Sequence, residues 1–221
     1  MQLHEKWRPK TLDAVVGQDA AVRKCRALLA NGAGGQAFFV SGPSGGGKST
    51  IAHILAETIA DGDCIVEIAG DDLTVDRLRK FLEDSELLGL IGSAKTGWAM
   101  IVNETHGIRA DVIRRLLVVL GDKPIRKHVC WIFTTTTEGA DLFGDKIDAA
   151  PFLSRCQEIS LTNQGLCAAF AEHVQRIARA EGLDGQPLTE YVKLARKCQS
   201  NCRAMLQAVA ASELKGEDDA S

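Results

Sequence analysis

The first chemistry legible in this 221-residue chain is a run of glycines that ends in a lysine and a hydroxyl. Ser41-Gly42-Pro43-Ser44-Gly45-Gly46-Gly47-Lys48-Ser49-Thr50 reads G-x-x-x-x-G-K-S, between the apolar run Ala37-Phe38-Phe39-Val40 and a helical run that starts near Ser49. Glycines lack a Cβ, so their backbone N–H groups can close around a β-phosphate at the start of a helix. Lys48 is placed to reach the β- and γ-phosphates, and Ser49 to offer its hydroxyl to a Mg²⁺ bridging the same oxygens. Thr50, with Ile51, Ile54, Leu55 and Ile59, starts and packs the helix. Strand, glycine loop and helix together separate this motif from an ordinary glycine turn. The stretch is therefore expected to bind a nucleoside triphosphate with Mg²⁺.

A second constellation ends the apolar run Trp98-Ala99-Met100-Ile101-Val102 in Asn103-Glu104. A nucleotide-hydrolysing P-loop protein places a metal-organising acid and then a general base at this kind of strand end. Glu104 is the candidate base, and residue 103 is the one that holds the metal's water shell. Asp is usual in that role and Asn weaker, so Asp at position 103 is expected to tighten Mg²⁺ dependence. The alternative is a helix-capping Asn followed by a first-turn Glu. Val129-Cys130-Trp131-Ile132-Phe133 runs into four threonines, 134 to 137. Threonines favour strands in any case; the functional alternative is that Thr136 hydrogen-bonds the γ-phosphate or the attacking water. Arg109, Arg114 and Arg115, opposite the apolar face of a helix from Ile108 to Leu120, read first as a solvated face.

These residues must be positioned by a soluble, intracellular type of chain. It is 45% apolar and 25% charged, which allows a sizeable core. Net charge is −3 and the pI is near 6.0, so global charge makes no case for nucleic acid, although local basic faces remain open. No apolar run has the length of a membrane span, and the start, with Glu5, Lys6 and Arg8, lacks a signal-peptide core. The seven cysteines are scattered without C-x-x-C spacing, which argues for reduced, mostly buried thiols over a disulfide framework or zinc module. Cys198 and Cys202 stand four apart and, with His173 weighed as the further ligand, are not expected to hold a metal.

The elements follow in order. Pro9 biases Arg8 to an extended conformation, so His4 to Asp13 is expected to be an extended arm. A helix from Gln18 to Ala30 leads to the P-loop strand. A second strand spans Cys64 to Ile68, and a helix begins near Thr74. Ser85 to Gly97 reads as a loop or short hairpin. The fifth strand is Gln157 to Ser160. From Leu161 the strand signal stops and three helices follow, about 163–181, 188–198 and 201–214. The expected organisation is an α/β nucleotide-binding domain at 1–160, a helical lid at 161–214 and an acidic, frayed tail at 215–221.

These motifs, in this order, resemble the AAA+ ATPases, most closely the clamp-loader subfamily of replication factor C small subunits. Lys6-Trp7-Arg8-Pro9-Lys10-Thr11-Leu12 with Val15-Val16-Gly17-Gln18 is similar to the clamp-loader N-terminal arm, whose Arg-Pro and Val-Gly elements (here Arg8, Pro9, Val16 and Gly17) surround the nucleotide. Gly42 to Ser49 corresponds to Walker A, Asn103-Glu104 to Walker B, and Thr136 falls near sensor 1, usually Asn. Ser154-Arg155-Cys156 matches the motif whose Arg acts as an arginine finger in a neighbouring subunit's site, and Arg203 resembles sensor 2. The resemblance implies a five-stranded parallel sheet with helices on both faces and the Thr-bearing strand between the P-loop and Walker B strands. It also implies ATP at subunit interfaces, with Lys48, Ser49 and Glu104 in cis and Arg155 in trans. The chain departs from the family at Asn103 and Thr136, and no helical collar is expected after the lid. Implied partners are other AAA+ subunits, DNA and a sliding clamp, with no membrane, in the cytoplasm, nucleoid or nucleus.

Two classes of function follow. One is an ATP-hydrolysing switch that assembles on DNA in replication, with clamp loading as its most specific form. The other is a nucleotide-binding assembly subunit that hydrolyses weakly or not at all, which Asn103 favours. A helicase loader or branch-migration motor without a collar is a further AAA+ alternative.

Overall fold

The computed structural model describes residues 2–86, 95, 97–121, 127–136, 142–144, 148–183 and 185–211. Along the chain run α1 (Leu3–Lys6), α2 (Asp19–Leu29), β1 (Ala37–Ser41), α3 (Lys48–Ala56) and β2 (Ile65–Ala69). Then come α4 (Val75–Asp84), β3 (Trp98–Asn103), α5 (Ala110–Gly121), β4 (Val129–Thr135), α6 (Ala150–Leu153) and β5 (Gln157–Ser160). The last elements are α7 (Cys167–Ala180), α8 (Leu188–Lys197) and α9 (Cys202–Ala210). The residues divide into two compact units. One comprises Ala20–Gly42 and Lys48–Ser160; the other comprises Met1–Asp19, Pro43–Gly47 and Leu161–Ser221.

The larger unit is built on a five-stranded sheet in the order β2-β3-β4-β1-β5. All four strand pairings are parallel, which explains why β1, β3 and β4 read as unbroken apolar runs. Central parallel strands are covered on both faces and have no solvent side to mark with polar residues. The Thr-bearing β4 lies between β1 and β3, as the resemblance implied. Beneath it two aromatic clusters lock the layers. Phe152 meets Phe39, Phe133 and Phe143 edge-on, and Phe81 meets Trp98 and Trp131 in the same way. Each such pair adds about 0.5–1.5 kcal/mol beyond its buried area. Thr74 caps α4 by accepting from the Arg77 N–H at 3.1 Å, a contribution of about 1 kcal/mol. Two expectations shift here. β4 continues through Thr134 and Thr135, which are buried in the strand instead of following it. Of the seven thiols, all free, three are buried and four half-buried. Most of Ser85 to Gly97 lies outside the described residues.

The second unit has its own apolar core, formed by Phe170, Val174 and Ile177 of α7, Tyr191 and Leu194 of α8, and Met205 and Val209 of α9. Leu3 and Val16 pack against this core, so the N-terminal arm, read from sequence as part of the first domain, groups with the C-terminal helices. The arm is also not extended throughout. Leu3–Lys6 is a helical turn closed by Trp7 N–H to Leu3 C=O at 3.0 Å, and Leu12–Ala14 is a 3-10 turn. Pro9 constrains Arg8 but leaves the upstream residues free to coil, and Leu3 gains an apolar partner by doing so. Trp7 Nε1 and Lys6 Nζ donate to the Glu181 carboxylate at 2.7 and 2.9 Å, pinning the arm to the end of α7. Those two bonds hold the Glu181 carboxyl below the usual carboxylate range. The acidic tail lies outside the described residues.

Candidate nucleotide and catalytic site

Parallel pairing aligns the carboxyl ends of the strands. Ser41 pairs with Thr135 across β1 and β4, and Ala69 with Asn103 across β2 and β3. Ligands of open α/β sheets bind at this edge, and the candidate residues of the larger unit gather along it. Gly42, with φ +141°, takes the chain out of β1, and Lys48 opens α3. Lys48 is buried, and its Nζ donates to Gly42 C=O at 2.8 Å, so the ammonium is held at the end of β1. Ser49 and Thr50 follow in the first turn, half-buried.

The glycines between them belong to the second unit, whose packing accounts for Gly45 and Gly46, while Gly47 is accounted for by its backbone alone. At Gly45, φ +72°, a Cβ would stand 1.8 Å from Asn201 Oδ1, and at Gly46 it would stand 3.0 Å from Asn163 Oδ1. Gly47 has φ +102°. No larger residue fits at Gly45, for reasons of space and of backbone alike. Gln18, buried, braces the same loop. Its Nε2 donates to Gly46 C=O at 3.1 Å and to Thr162 C=O at 2.7 Å, while its Oε1 accepts from Thr162 N–H at 3.2 Å. Gly17, φ +77°, lies under Leu166 and Phe170, where a Cβ would come within 3.1 Å. Pro43 and Ser44 are exposed; Arg8, Pro9 and Val16 are half-buried. Arg203 is exposed in the first turn of α9, which Asn201 caps by accepting from Ala204 N–H at 3.0 Å.

At the end of β3, Asn103 bridges its two neighbouring strands. Its Nδ2 donates to Glu67 Oε1 on β2 at 2.6 Å, and its Oδ1 accepts from Thr134 Oγ1 on β4 at 2.8 Å. The other Glu67 oxygen lies 3.1 Å from His53 Nε2 on α3. Glu104 comes next and adopts the left-handed region, φ 51° and ψ 55°. Non-glycine residues are held there only where their surroundings over-determine them, and such positions cluster at functional sites. The surroundings are visible. Gly70 lets the Glu104 carbonyl approach to where a Cβ would be 2.4 Å away, and Thr105 is tethered through Oγ1 to Thr134 C=O at 3.0 Å. The Glu104 side chain is exposed, 3.4 Å from His106 Nδ1, which also lies 3.2 Å from Thr135 Oγ1. Asn103 is thus no helix cap, and Glu104 precedes a 3-10 turn instead of opening a helix.

Thr136 stands exposed in the bend just past β4. Arg155 is exposed in the turn before β5, its Nη1 donating to Pro151 C=O at 2.5 Å and its Nε beside Gly121. Among the described residues its hydrogen bond runs to Pro151 and not to the strand-end cluster. Sequence reading gave no site role of their own to Gln18, Glu67, Thr134, His106 and Asn201. For Glu67 a signal existed: a lone carboxylate within the apolar run Ile65-Val66-Glu67-Ile68.

No family model matches the chain. It is 25% identical over 227 residues to DNA polymerase III subunit tau/gamma of Haemophilus influenzae, covering 92% of this chain and 31% of that protein. It is 33% identical over 150 residues to the Holliday junction branch migration complex subunit RuvB of Chlamydia pneumoniae, covering 66% of this chain and 39% of that one. Over 96 residues it is 27% identical to the replication factor C large subunit of Pyrococcus abyssi, covering 41% and 20%. The chain therefore spans well under half the length of these relatives. Among solved structures, the Thermotoga maritima RuvB branch migration motor superposes with TM-score 0.67 at 19% identity, over 92% of this chain and 64% of that one.

Proposed function

From an AAA+ P-loop NTPase fold of RuvB type we propose a Mg²⁺-dependent ATPase subunit that works in an oligomeric AAA+ assembly on DNA, with sliding-clamp loading in replication as its most specific form. The observation that carries the reading is the alignment along one sheet edge of Lys48 at the start of α3, the β4 threonines, and Asn103-Glu104. Its relatives include a DNA polymerase III subunit and replication factor C.

In this reading the backbone N–H groups of Gly45 to Lys48 and the Lys48 ammonium bind the β- and γ-phosphates. The Ser49 hydroxyl and Asn103 Oδ1 are hard oxygen donors that fit Mg²⁺ and its waters, and the bound ion supplies charge neutralisation at the phosphates. Glu104 takes the proton of the attacking water. Thr136 orients that water, Arg8, Pro9, Val16 and Gly17 line the base and sugar, and Arg203 contacts the phosphates. Arg155 serves a neighbouring subunit. The 33% identity to RuvB favours, as a second reading, a branch-migration type motor on the same fold.

Calorimetric titration with MgATP tests the core of the proposal. Wild type binds, and Lys48→Ala loses at least about tenfold in affinity, since one charge-assisted bond contributes about 1.5–3 kcal/mol. Equal affinity in the two proteins would mean that this loop is not a nucleotide site.

A further inference from the structure

A P-loop site that lacks the acid at the end of its third strand lacks the negative charge that holds the metal's waters, yet a carboxylate is present one strand away. Glu67 reaches from β2 to within 2.6 Å of Asn103 Nδ2. We propose that Glu67 is a positioning residue that orients the Asn103 carboxamide and supplies, from the edge strand, the negative charge missing from position 103.

The chemistry of the partners fixes the orientation. A carboxylate only accepts, so the Asn103 amide must turn its N–H₂ to Glu67, which commits Oδ1 to the other side. There Oδ1 takes one hydrogen bond from Thr134 at 2.8 Å and keeps a second lone pair for a metal-bound water. Charge on an edge strand often serves only to prevent strand pairing. Glu67 is tied instead to the strand end on one side and to His53 of the P-loop helix on the other. Partners of metal-organising groups tune them through such bonds. A consequence follows for substitution at 103. Asp there, expected from the motif alone to tighten Mg²⁺ dependence, would face the Glu67 carboxylate across a hydrogen-bond distance, with repulsion where the amide donates.

This inference rests on the nucleotide reading above, and a charge-swap cycle separates the two. Glu67→Gln keeps an acceptor for Asn103 but removes the charge. It should bind ATP while its apparent Mg²⁺ affinity in the nucleotide complex falls about 10–100-fold. Asn103→Asp alone should lower Tm without metal by about 2–4 °C. The double variant Asn103→Asp/Glu67→Gln, with one charge on the other strand, should recover both Tm and Mg²⁺ affinity. A merely structural Glu67 would change Tm alone, leaving Mg²⁺ affinity in Glu67→Gln at the wild-type value with no rescue in the double variant; that result overturns the inference while sparing the nucleotide site. Failure of wild type itself to bind MgATP would remove the nucleotide reading and this inference with it.

Discussion

Glu104, the proposed general base, has a backbone conformation that ordinary residues avoid, φ 51°, with its side chain exposed. His106 Nδ1 at 3.4 Å gives the carboxylate a neighbour that can steer it. Glu104→Gln keeps the shape and removes the proton acceptor. Phosphate-release assays should show turnover lowered by about 10²-fold or more, with MgATP affinity by calorimetry unchanged. Turnover equal to wild type would take the base role from Glu104. Asn103 carries the opposite lesson at the same scale. Its side chain, read alone, is a weakened acid; read with Glu67 and Thr134, it is one part of a hydrogen-bonded bridge across three strands.

Among the elements, α7 carries a titratable group with a calculable effect on stability. His173 Nδ1 accepts from Arg176 at 2.9 Å, which requires the neutral imidazole, and burial with that neighbouring cation pushes its pKa down from 6.5 to about 4. The sign is set by the unfolded state, which takes up a proton below 6.5 while the folded state does so only near 4. Stability is therefore unaffected above about pH 6.5 and falls as pH drops toward 4, by less than the full one-proton slope of about 1.4 kcal/mol per unit because the ring is partly exposed. Denaturant melts across this window should show the loss in wild type and a shallower one in His173→Gln. A slope identical in both would place the acid sensitivity elsewhere. The turn from α8 to α9 is equally local. Gln199 and Ser200 both take positive φ without being glycines, and Ser200 N–H closes onto Ala195 C=O at 2.8 Å. That turn sets Asn201 in place as the cap of α9 and as the atom over Gly45.

For the whole molecule the decisive residue is Arg155, whose exposed guanidinium rests on its own chain at Pro151. A finger acting in trans stabilises charge at a neighbour's γ-phosphate and is worth about 10³–10⁵ in turnover. Arg155→Ala should lower turnover on that scale while leaving the chain's own ATP affinity intact. Mixing Lys48→Ala chains, which still offer Arg155, with Arg155→Ala chains, which still bind ATP, should restore activity if the chain assembles with itself. If it assembles with unlike subunits, the restoration appears when those are added. Wild-type turnover by Arg155→Ala in every assembly would end the shared-site mechanism. No helix among the described residues is long and apolar enough to cross a membrane.

The glycine loop and the apolar strands were legible in the sequence because each rests on short-range signals, whereas the place of β4 between β1 and β3 was implied only by the family resemblance. A motif of ten consecutive residues names its own context, and unbroken apolar runs mark strands covered on both faces. Element boundaries at β5 and α4 were equally local, set by a strand pattern and by the Thr74 cap. What the sequence could not carry was partnership across the chain. Glu67 meets Asn103 across 36 positions, and Gln18 meets Thr162 across 144. Whether Pro9 kept the arm extended was decided not by Pro9 but by the apolar surface waiting for Leu3. A side chain's charge is written in its residue type, but its effect depends on which group the fold brings within hydrogen-bond reach. That is why Asn103 reads as a lost acid in one dimension and as half of a shared one in three.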